Sequence, residues 1–308
     1  MNAYVEAARP RTLPAAVAPV LVGTAAAATP LGEVSWLRFL LALLVALALQ
    51  VAVNYANDYF DGVKGVDTAD RIGPRRAVAA GLVTPGAMKR AMAVALVVAG
   101  LAGIGLAALA GWELLVVGIA AMLAALGYSG GPKPYASAGL GEVFVFVFFG
   151  LVATVGSAYA QDGTITLVPV LASLPMGFLA TALLVVNNLR DIPTDREAGK
   201  VTLAVRLGEA RTRTLYVTLV VAAYAILVVL LFVTRETWVL LPLISVMFTW
   251  EGVMRVRHAP LGQIPGDPRS GRRLIEALEH TAKGQLAFAV LFAVGLVLAA
   301  DASRAAGP

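Results

Sequence analysis

Nine long apolar runs constrain the fold of this chain more than any other feature of its sequence. Each run is close to the length of about 20 residues that an α-helix needs to cross a bilayer. The runs lie near residues 13–29, 36–56, 88–110, 112–128, 140–160, 167–188, 215–233, 237–254 and 284–300. Hydrophobic residues make up 59% of the chain and charged residues 14%, whereas soluble domains carry about 25% charged residues. We therefore predict an all-α, polytopic membrane protein with nine transmembrane helices that forms a single domain over residues 1–308.

Lys and Arg residues are distributed unevenly between the two sides of the predicted spans. Alternate loops place 21 of the 24 on the side of the N-terminus and 3 on the other side. Cytoplasmic loops are enriched in Lys and Arg, so the N-terminus is predicted in the cytoplasm and the C-terminus outside a cell (inner or plasma) membrane. This topology accounts for the net charge of +5 without a nucleic-acid partner. The chain has no Cys and two His, which excludes disulfides, thiolate metal sites and a His metal cluster.

Two clusters of Asn and Asp residues lie where the second and sixth apolar runs end. The clusters consist of Asn54, Asp58 and Asp61 and of Asn187, Asp191 and Asp195. Spacings of four and of seven or eight residues place side chains on one helix face. Pro193 disfavours helix at Ile192, which predicts that Asp195 lies past a kink or in the cap that follows. Acidic groups at the end of a lipid-embedded helix usually serve an ion or a substrate.

The two clusters are suited to a substrate that is itself anionic and metal-bound. Facing carboxylates can hold hard divalent cations, and Mg²⁺ is the natural candidate because it bridges carboxylates to phosphate oxygens. A metal acting as a Lewis acid stabilises charge on a departing diphosphate. Apolar and aromatic walls are available beside the clusters, for example in GEVFVFVFFG at 141–150. The sequence therefore predicts an isoprenyl diphosphate as substrate, with its tail in the membrane and its head at the cytoplasmic side.

Two basic residues near the predicted membrane boundary have more than one interpretation. Arg11 lies just before the first run, where it could anchor the chain to lipid headgroups or reach an anionic ligand. Lys133 lies in the turn YSGGPKPY, where it could bind a phosphate as a point charge or extend to the membrane surface. Both interpretations stay open for each residue.

Four stretches resemble the UbiA superfamily of membrane prenyltransferases, in the same order along the chain. They are ARPRTLPAAVAPVLVG, NDYFDGVKGVDTADRIGP, YSGGPKPYASAGLGEVFVFVFFG and NNLRDIPTDREAGKVTLAVRLG. The resemblance extends over roughly residues 8 to 300 and is closest to the branch that prenylates 1,4-dihydroxy-2-naphthoate in menaquinone synthesis. It implies a bundle of nine helices around a central cavity with cytoplasmic cap loops.

The resemblance also implies roles for individual residues. The aspartates that match the Mg²⁺ and diphosphate ligands of the family are Asp58, Asp61, Asp191 and Asp195, with Asn54 and Asn187 as polar partners. The residues expected to contact the diphosphate are Arg11, Arg71, Lys133, Lys200 and Arg206. Tyr128 would stabilise an allylic cation or position the acceptor ring. The implied reaction transfers a long prenyl chain from prenyl diphosphate to 1,4-dihydroxy-2-naphthoate, with loss of CO₂ and diphosphate, and gives demethylmenaquinone.

Two other functions remain open from the sequence. A member of the same superfamily could use another aromatic acceptor, such as 4-hydroxybenzoate. Intramembrane carboxylates also mark cation or organic-anion transporters. Transporter sites usually lie near the middle of the membrane between half-helices, whereas both clusters here are predicted at the same side of the membrane. This placement favours the transferase.

Overall fold

The structure, a computed structural model, describes residues 2–27, 33–64, 76–261 and 272–305. These residues are almost all helical and contain no strand. The helices are α1 (Ala3–Ala7), α2 (Pro14–Ala26), α3 (Trp36–Lys64), α4 (Pro85–Ala110), α5 (Glu113–Ser129), α6 (Gly141–Asp162), α7 (Leu167–Glu197), α8 (Leu203–Thr234), α9 (Thr237–His258) and α10 (Arg273–Ala305). Three of them change geometry along their length, and α8 does so at Gly208, which has a non-helical φ of 75°. Phe146–Val152 of α6 is π-helical, and α9 begins as a 3₁₀ helix over Thr237–Ser245.

Each predicted apolar run corresponds to one helix, and the predicted all-α, multi-pass architecture is confirmed. In the described part of the chain, seven helices are long and apolar enough to cross a membrane, namely α3, α4 and α6 to α10. The other two apolar helices, α2 and α5, are shorter, with 13 and 17 residues. The predicted count of nine transmembrane helices is therefore not confirmed.

Helix α2 lies inside the bundle and packs against α3, α6, α7 and α10. It begins at Pro14, whose fixed φ suits the first helical position and whose missing N–H would have no partner there. Small residues allow the close approach: a Cβ added to Gly23 would come within 2.1 Å of the Thr154 carbonyl oxygen in α6. Burial within the bundle explains why a helix of this length is stable between longer neighbours.

Helix α7 differs from the sequence prediction near its C-terminus. The helix continues through Pro193 to Glu197, so Asp195 lies within the helix, and the prediction that it lies in a cap is wrong. Leu189 and Ile192 are buried in the core formed by α7, α8, α9 and α10. This packing keeps the last turns helical, because tertiary burial outweighs the lost backbone hydrogen bond at a proline.

Arg38, near the start of α3, joins three helices at the end of the bundle opposite to the Asp clusters. Its guanidinium donates to the carbonyls of Ala160 at 3.2 Å and Gln161 at 2.9 Å, at the C-terminus of α6. It also donates to the Leu109 carbonyl at the C-terminus of α4. A cation at a helix C-terminus pairs with orphan carbonyls and with the helix dipole. Arg38 therefore fixes α3, α4 and α6 relative to one another.

Candidate active site

The C-terminal ends of α3, α5 and α7 meet the N-terminal segment at one end of the bundle, which we call the polar end. Asn54 of α3 donates from Nδ2 to the Ala8 carbonyl at 2.8 Å and to Thr12 Oγ1 at 3.3 Å. Asn57 accepts a hydrogen bond from Ser129 at the end of α5. These contacts hold the N-terminal segment and α5 against the last turns of α3. A polar layer is thereby built across separate helices.

Asp58 fixes the loop that precedes α4. Its Oδ1 accepts the backbone N–H of Val78 at 2.8 Å, and its Oδ2 accepts that of Ala77 at 2.9 Å. The side chain is almost fully buried, at 1% exposure. A carboxylate has about four lone-pair sites, so these two bonds leave acceptor capacity on both oxygens. Asp58 thus positions the loop and remains able to accept a further ligand.

Asp61 connects the two halves of the site. Its Oδ2 lies 3.4 Å from an Arg76 guanidinium nitrogen and 3.6 Å from Lys200 Nζ. Arg76 belongs to the loop before α4, and Lys200 follows α7. The end of α3 and the segment after α7 therefore converge on one carboxylate.

The second Asn and Asp cluster is held by Arg190 of α7. The guanidinium donates Nε to Asp191 Oδ1 at 2.7 Å and a terminal nitrogen to Oδ2 at 2.8 Å. The same terminal nitrogen donates to Asn187 Oδ1 at 2.9 Å. Bidentate pairs of this kind are among the stronger protein hydrogen bonds. Asp195 accepts from Thr202 Oγ1 at a longer distance of 3.5 Å.

Three of the predicted diphosphate contacts do not lie at these carboxylates in the described structure. Arg11 has a side chain that is 59% exposed and pairs with Glu279 at 2.8 Å. Lys133 is exposed, and Arg206 is exposed beside the Gly139 turn. Arg71 lies outside the described residues. Their proposed contacts with diphosphate stay predictions, whereas Lys200 does reach Asp61.

An apolar cavity of about 270 Å³ opens from the polar end into the bundle. Asn54, Asn187 and Tyr128 line its polar end, together with Arg9 and Asn57. The remainder of its wall consists almost entirely of aliphatic, aromatic and small side chains from α2 to α7 and one from α10. Ligand sites commonly combine an apolar wall with a few converging polar groups. The predicted central cavity is therefore present, and it carries both Asn residues of the clusters.

Aromatic rings form one wall of the cavity beside Tyr128. The Tyr128 and Tyr135 rings meet edge to face at 5.5 Å, and Tyr135 stacks on Phe144 at 3.9 Å. Phe148 continues the series one turn further along α6. Tyr135 donates its hydroxyl to the Ala124 carbonyl at 2.7 Å, and burial raises the pKa of this hydroxyl above its ordinary value. The hydroxyl therefore stays protonated and fixes the ring that supports Tyr128.

Sequence reasoning did not select three of the basic side chains at the site. Arg190 follows directly after the second Asn pair, and its position beside Asp191 is a signal that could have identified it. Arg76 belongs to the basic set of the loop after the first cluster. Arg9 has no such signal, because it reaches the cavity through a left-handed backbone conformation with φ of 51°. A left-handed residue of this kind is uncommon outside glycine.

The donor chemistry of the site fits a hard divalent cation that arrives with a phosphorylated substrate. Among the described residues, no three Asp, Glu or His side chains come close enough to hold a metal ion by themselves. Each aspartate instead pairs with a cation or with hydrogen-bond donors. Mg²⁺ commonly uses one or two carboxylates and completes its shell with water and substrate phosphates. A cluster assembled around a diphosphate is consistent with this arrangement.

Comparison with known proteins gives consistent results over most of the chain. Residues 16–262 match the family model of the UbiA prenyltransferase family. A 1,4-dihydroxy-2-naphthoate octaprenyltransferase from Mycobacterium tuberculosis is 44% identical over 95% of this chain and 96% of its own length. An enzyme of the same name from Escherichia coli is 40% identical over 96% of both chains. A UbiA homolog from Archaeoglobus fulgidus bound to DMAPP and Mg²⁺ superposes with a TM-score of 0.65 at 16% identity, over 94% of this chain and 99% of the other.

Proposed function

Because the chain belongs to the UbiA prenyltransferase family, we propose that it transfers a long prenyl chain from a prenyl diphosphate to 1,4-dihydroxy-2-naphthoate. The new bond joins C1 of the prenyl chain to the ring carbon that carries the carboxylate. The C–O bond to the diphosphate and the C–C bond to the carboxylate break. Diphosphate and CO₂ leave, and the product is the quinol form of demethylmenaquinone. The names of the relatives from Mycobacterium tuberculosis and Escherichia coli support this acceptor and an octaprenyl donor.

The ion pair between Asp61 and Lys200 is the observation that carries the proposal. Its 3.6 Å separation joins the end of α3 to the segment after α7. Asn54 and Asn187, from the same two helices, line the polar end of the apolar cavity. A prenyl diphosphate needs a charged pocket for its head next to an apolar channel for its chain. The position of Asn54 and Asn187 on the helices that end at the aspartates supports a head pocket next to the apolar cavity.

The cations of the polar end are suited to holding the diphosphate. Arg76, Arg190 and Lys200 each pair with an aspartate at 2.7 to 3.6 Å. Arg presents five N–H donors in a planar fork and Lys presents three. One guanidinium can therefore bind a carboxylate and a phosphate oxygen together, which positions the diphosphate beside the aspartates.

Mg²⁺ bound with the diphosphate would act as a Lewis acid and neutralise charge on the departing oxygen. The residues that we assign to hold it are Asp58, Asp61, Asp191 and Asp195, with Asn54 and Asn187 as polar partners. The oxygen donors of these side chains suit a hard cation. Homologs from Archaeoglobus fulgidus bound to Mg²⁺ together with DMAPP or GPP support the assignment.

The cavity wall can protect and orient the reacting groups. The ring of Tyr128 faces the cavity, and the face of an aromatic ring attracts a cation. Tyr135 and Phe144 pack behind it and restrict its movement. The apolar lining excludes water, which would otherwise capture an allylic cation before the naphthoate ring reacts. Tyr128 is therefore assigned to stabilise the cation or to position the acceptor ring.

The proposal also covers the orientation of the chain in the membrane and the remaining basic residues. The 21 to 3 distribution of Lys and Arg supports a cytoplasmic polar end and N-terminus, with the C-terminus outside the cell membrane. Arg11, Arg71, Lys133 and Arg206 are proposed as further diphosphate contacts. Single Ala substitutions test them, since loss of a phosphate contact raises KM for the donor more than KM for the acceptor.

A transfer assay with purified protein tests the function. Geranylgeranyl diphosphate and Mg²⁺ are supplied with equal amounts of 1,4-dihydroxy-2-naphthoate and 4-hydroxybenzoate, and both prenylated products and CO₂ are measured. We expect prenylated naphthoquinol with matching CO₂ release. Asp61→Asn should abolish the product, whereas the matched substitution Asp301→Asn should not, because Asp301 is an exposed residue at the end of α10. Absence of a prenylated naphthalene product, or preferential prenylation of 4-hydroxybenzoate, contradicts the proposal.

A further inference from the structure

Among the glycines that line the cavity far from its polar end, two have open space around them. Gly118 of α5 and Gly156 of α6 both face this space. A Cβ added to either glycine would meet no neighbouring group within 4 Å. Gly150 is different, because a Cβ there would come within 2.5 Å of Gly177 Cα in α7. Gly150 therefore permits helix packing, whereas the absence of side chains at Gly118 and Gly156 keeps the cavity open.

The two glycines lie at a similar depth below the polar end. Tyr128 marks that end on α5, and the ten positions back to Gly118 correspond to about 15 Å of helix. Phe144 stacks on Tyr135 near the same end, and the twelve positions from Phe144 to Gly156 correspond to at most about 18 Å, because the π-helical part of α6 rises less per residue than an α-helix. An extended carbon chain advances roughly 1.2 Å per bond, so a four-bond isoprene unit spans roughly 5 Å. The end of the third isoprene unit and the beginning of the fourth therefore lie at the level of the glycines.

We propose that Gly118 and Gly156 determine which prenyl chain lengths the site accepts. The proposal rests on the prenyl transfer proposed above and adds the positions that set its donor specificity. A larger side chain at either position would occupy space that the third and fourth isoprene units need. The first two units would still have their space beside the aromatic wall. Donors longer than two units would lose affinity relative to geranyl diphosphate.

Substitution by Leu tests the proposal at both positions. Gly118→Leu and Gly156→Leu are compared with wild type for kcat/KM with geranyl diphosphate, which has two isoprene units, and with geranylgeranyl diphosphate, which has four. The ratio of kcat/KM for the longer donor to that for the shorter donor should fall about tenfold or more, because a filled apolar pocket discriminates strongly by size. Leu has a higher helix propensity than Gly, so the helices should be retained.

Gly86→Leu is the matched control. Gly86 also has open space around it, but it lies in the first turn of α4 and does not line the cavity. The donor ratio of this variant should equal that of wild type. An unchanged ratio in both Gly118→Leu and Gly156→Leu, or the same shift in Gly86→Leu, overturns the proposal.

A binding measurement separates this proposal from the proposed function. Isothermal titration calorimetry of geranyl and geranylgeranyl diphosphate, with Mg²⁺ and without an acceptor, gives the ratio of the two dissociation constants. If wild type forms no product with either donor, the proposed function fails, while the binding ratio still tests the glycines. The proposal expects that ratio to move about tenfold against the longer donor in both cavity variants. Equal binding ratios in wild type and variants overturn it.

Discussion

Asp58→Asn provides a direct test of how the site is held together, because Asp58 binds the loop before α4 through two backbone hydrogen bonds. The carboxylate accepts from Ala77 at 2.9 Å and from Val78 at 2.8 Å and is buried. An Asn side chain has the same shape but only one acceptor oxygen. Its NH₂ group would face the other backbone N–H. The substitution thus removes one charge-assisted bond and weakens the second.

The size of the effect follows from these contacts. A hydrogen bond to a charged group contributes about 1.5–3 kcal/mol, and a buried donor left without a partner adds to the loss. Since about 1.4 kcal/mol corresponds to a factor of ten, the opening equilibrium of the loop should rise roughly 10- to 150-fold. Arg76 would then be released together with the loop, since it directly precedes Ala77.

Hydrogen exchange followed by mass spectrometry measures this opening in detergent or nanodiscs. Peptides that contain residues 77–83 should exchange faster in Asp58→Asn, because exchange of protected amides follows local opening. Peptides from α8 should keep their wild-type rates. Asp191→Asn is the matched control, since Asp191 pairs with Arg190 on α7. Unchanged exchange at residues 77–83 in Asp58→Asn would refute the reasoning.

Three further results are expected. Arg38→Ala should lower the melting temperature measured by Trp fluorescence. The carbonyls at the ends of α4 and α6 lose a charged donor whose hydrogen bonds contribute about 1.5–3 kcal/mol. An unchanged melting temperature would contradict this expectation. Tyr135→Phe should reduce kcat about fivefold, because the hydrogen bond to the Ala124 carbonyl is lost. Tyr135→Leu should reduce kcat further, because ring stacking on Phe144 is lost as well. Equal kcat in both variants would count against the role of the Tyr135 ring in supporting Tyr128. Asp191→Asn should abolish turnover and leave the circular dichroism spectrum unchanged, because metal ligation needs the negative charge whereas the fold does not need it. Wild-type turnover in this variant would argue against Asp191 as a metal ligand.

The positions of the helices could largely be predicted from hydropathy, because lipid exposure leaves a long apolar run in the sequence. The ends of the helices were less predictable. The last apolar run does not mark where its helix begins: α10 begins at Arg273, well before the run near 284–300. Leu274 and Ala277 are buried there by packing against other helices. The end of α7 was also difficult to predict, because burial of the residues beside Pro193 keeps the helix intact where local propensity predicts that it ends.

The candidate site was predictable where its chemistry lies in one stretch of sequence. Asn54 and Asp61 could be placed on one face at the end of α3, because their spacing follows the helix period. The basic residues depend on tertiary contacts that no local pattern encodes. Arg9 and Arg11 look alike in the sequence, yet Arg9 lines the cavity and Arg11 pairs with Glu279 outside it. The left-handed backbone at Arg9 directs its side chain to the cavity, whereas Arg11, two residues later, lies outside it.

We propose that the ends of α3 and α7 hold divalent metal and one diphosphate together. Electron paramagnetic resonance of Mn²⁺, titrated into purified protein with and without geranyl diphosphate, measures this most directly. We expect Mn²⁺ binding that requires the diphosphate and that weakens in Asp61→Asn and in Asp191→Asn alike, because each helix end supplies part of one cluster. Mn²⁺ binding that does not depend on diphosphate, or that is unaffected by either substitution, would contradict the claim.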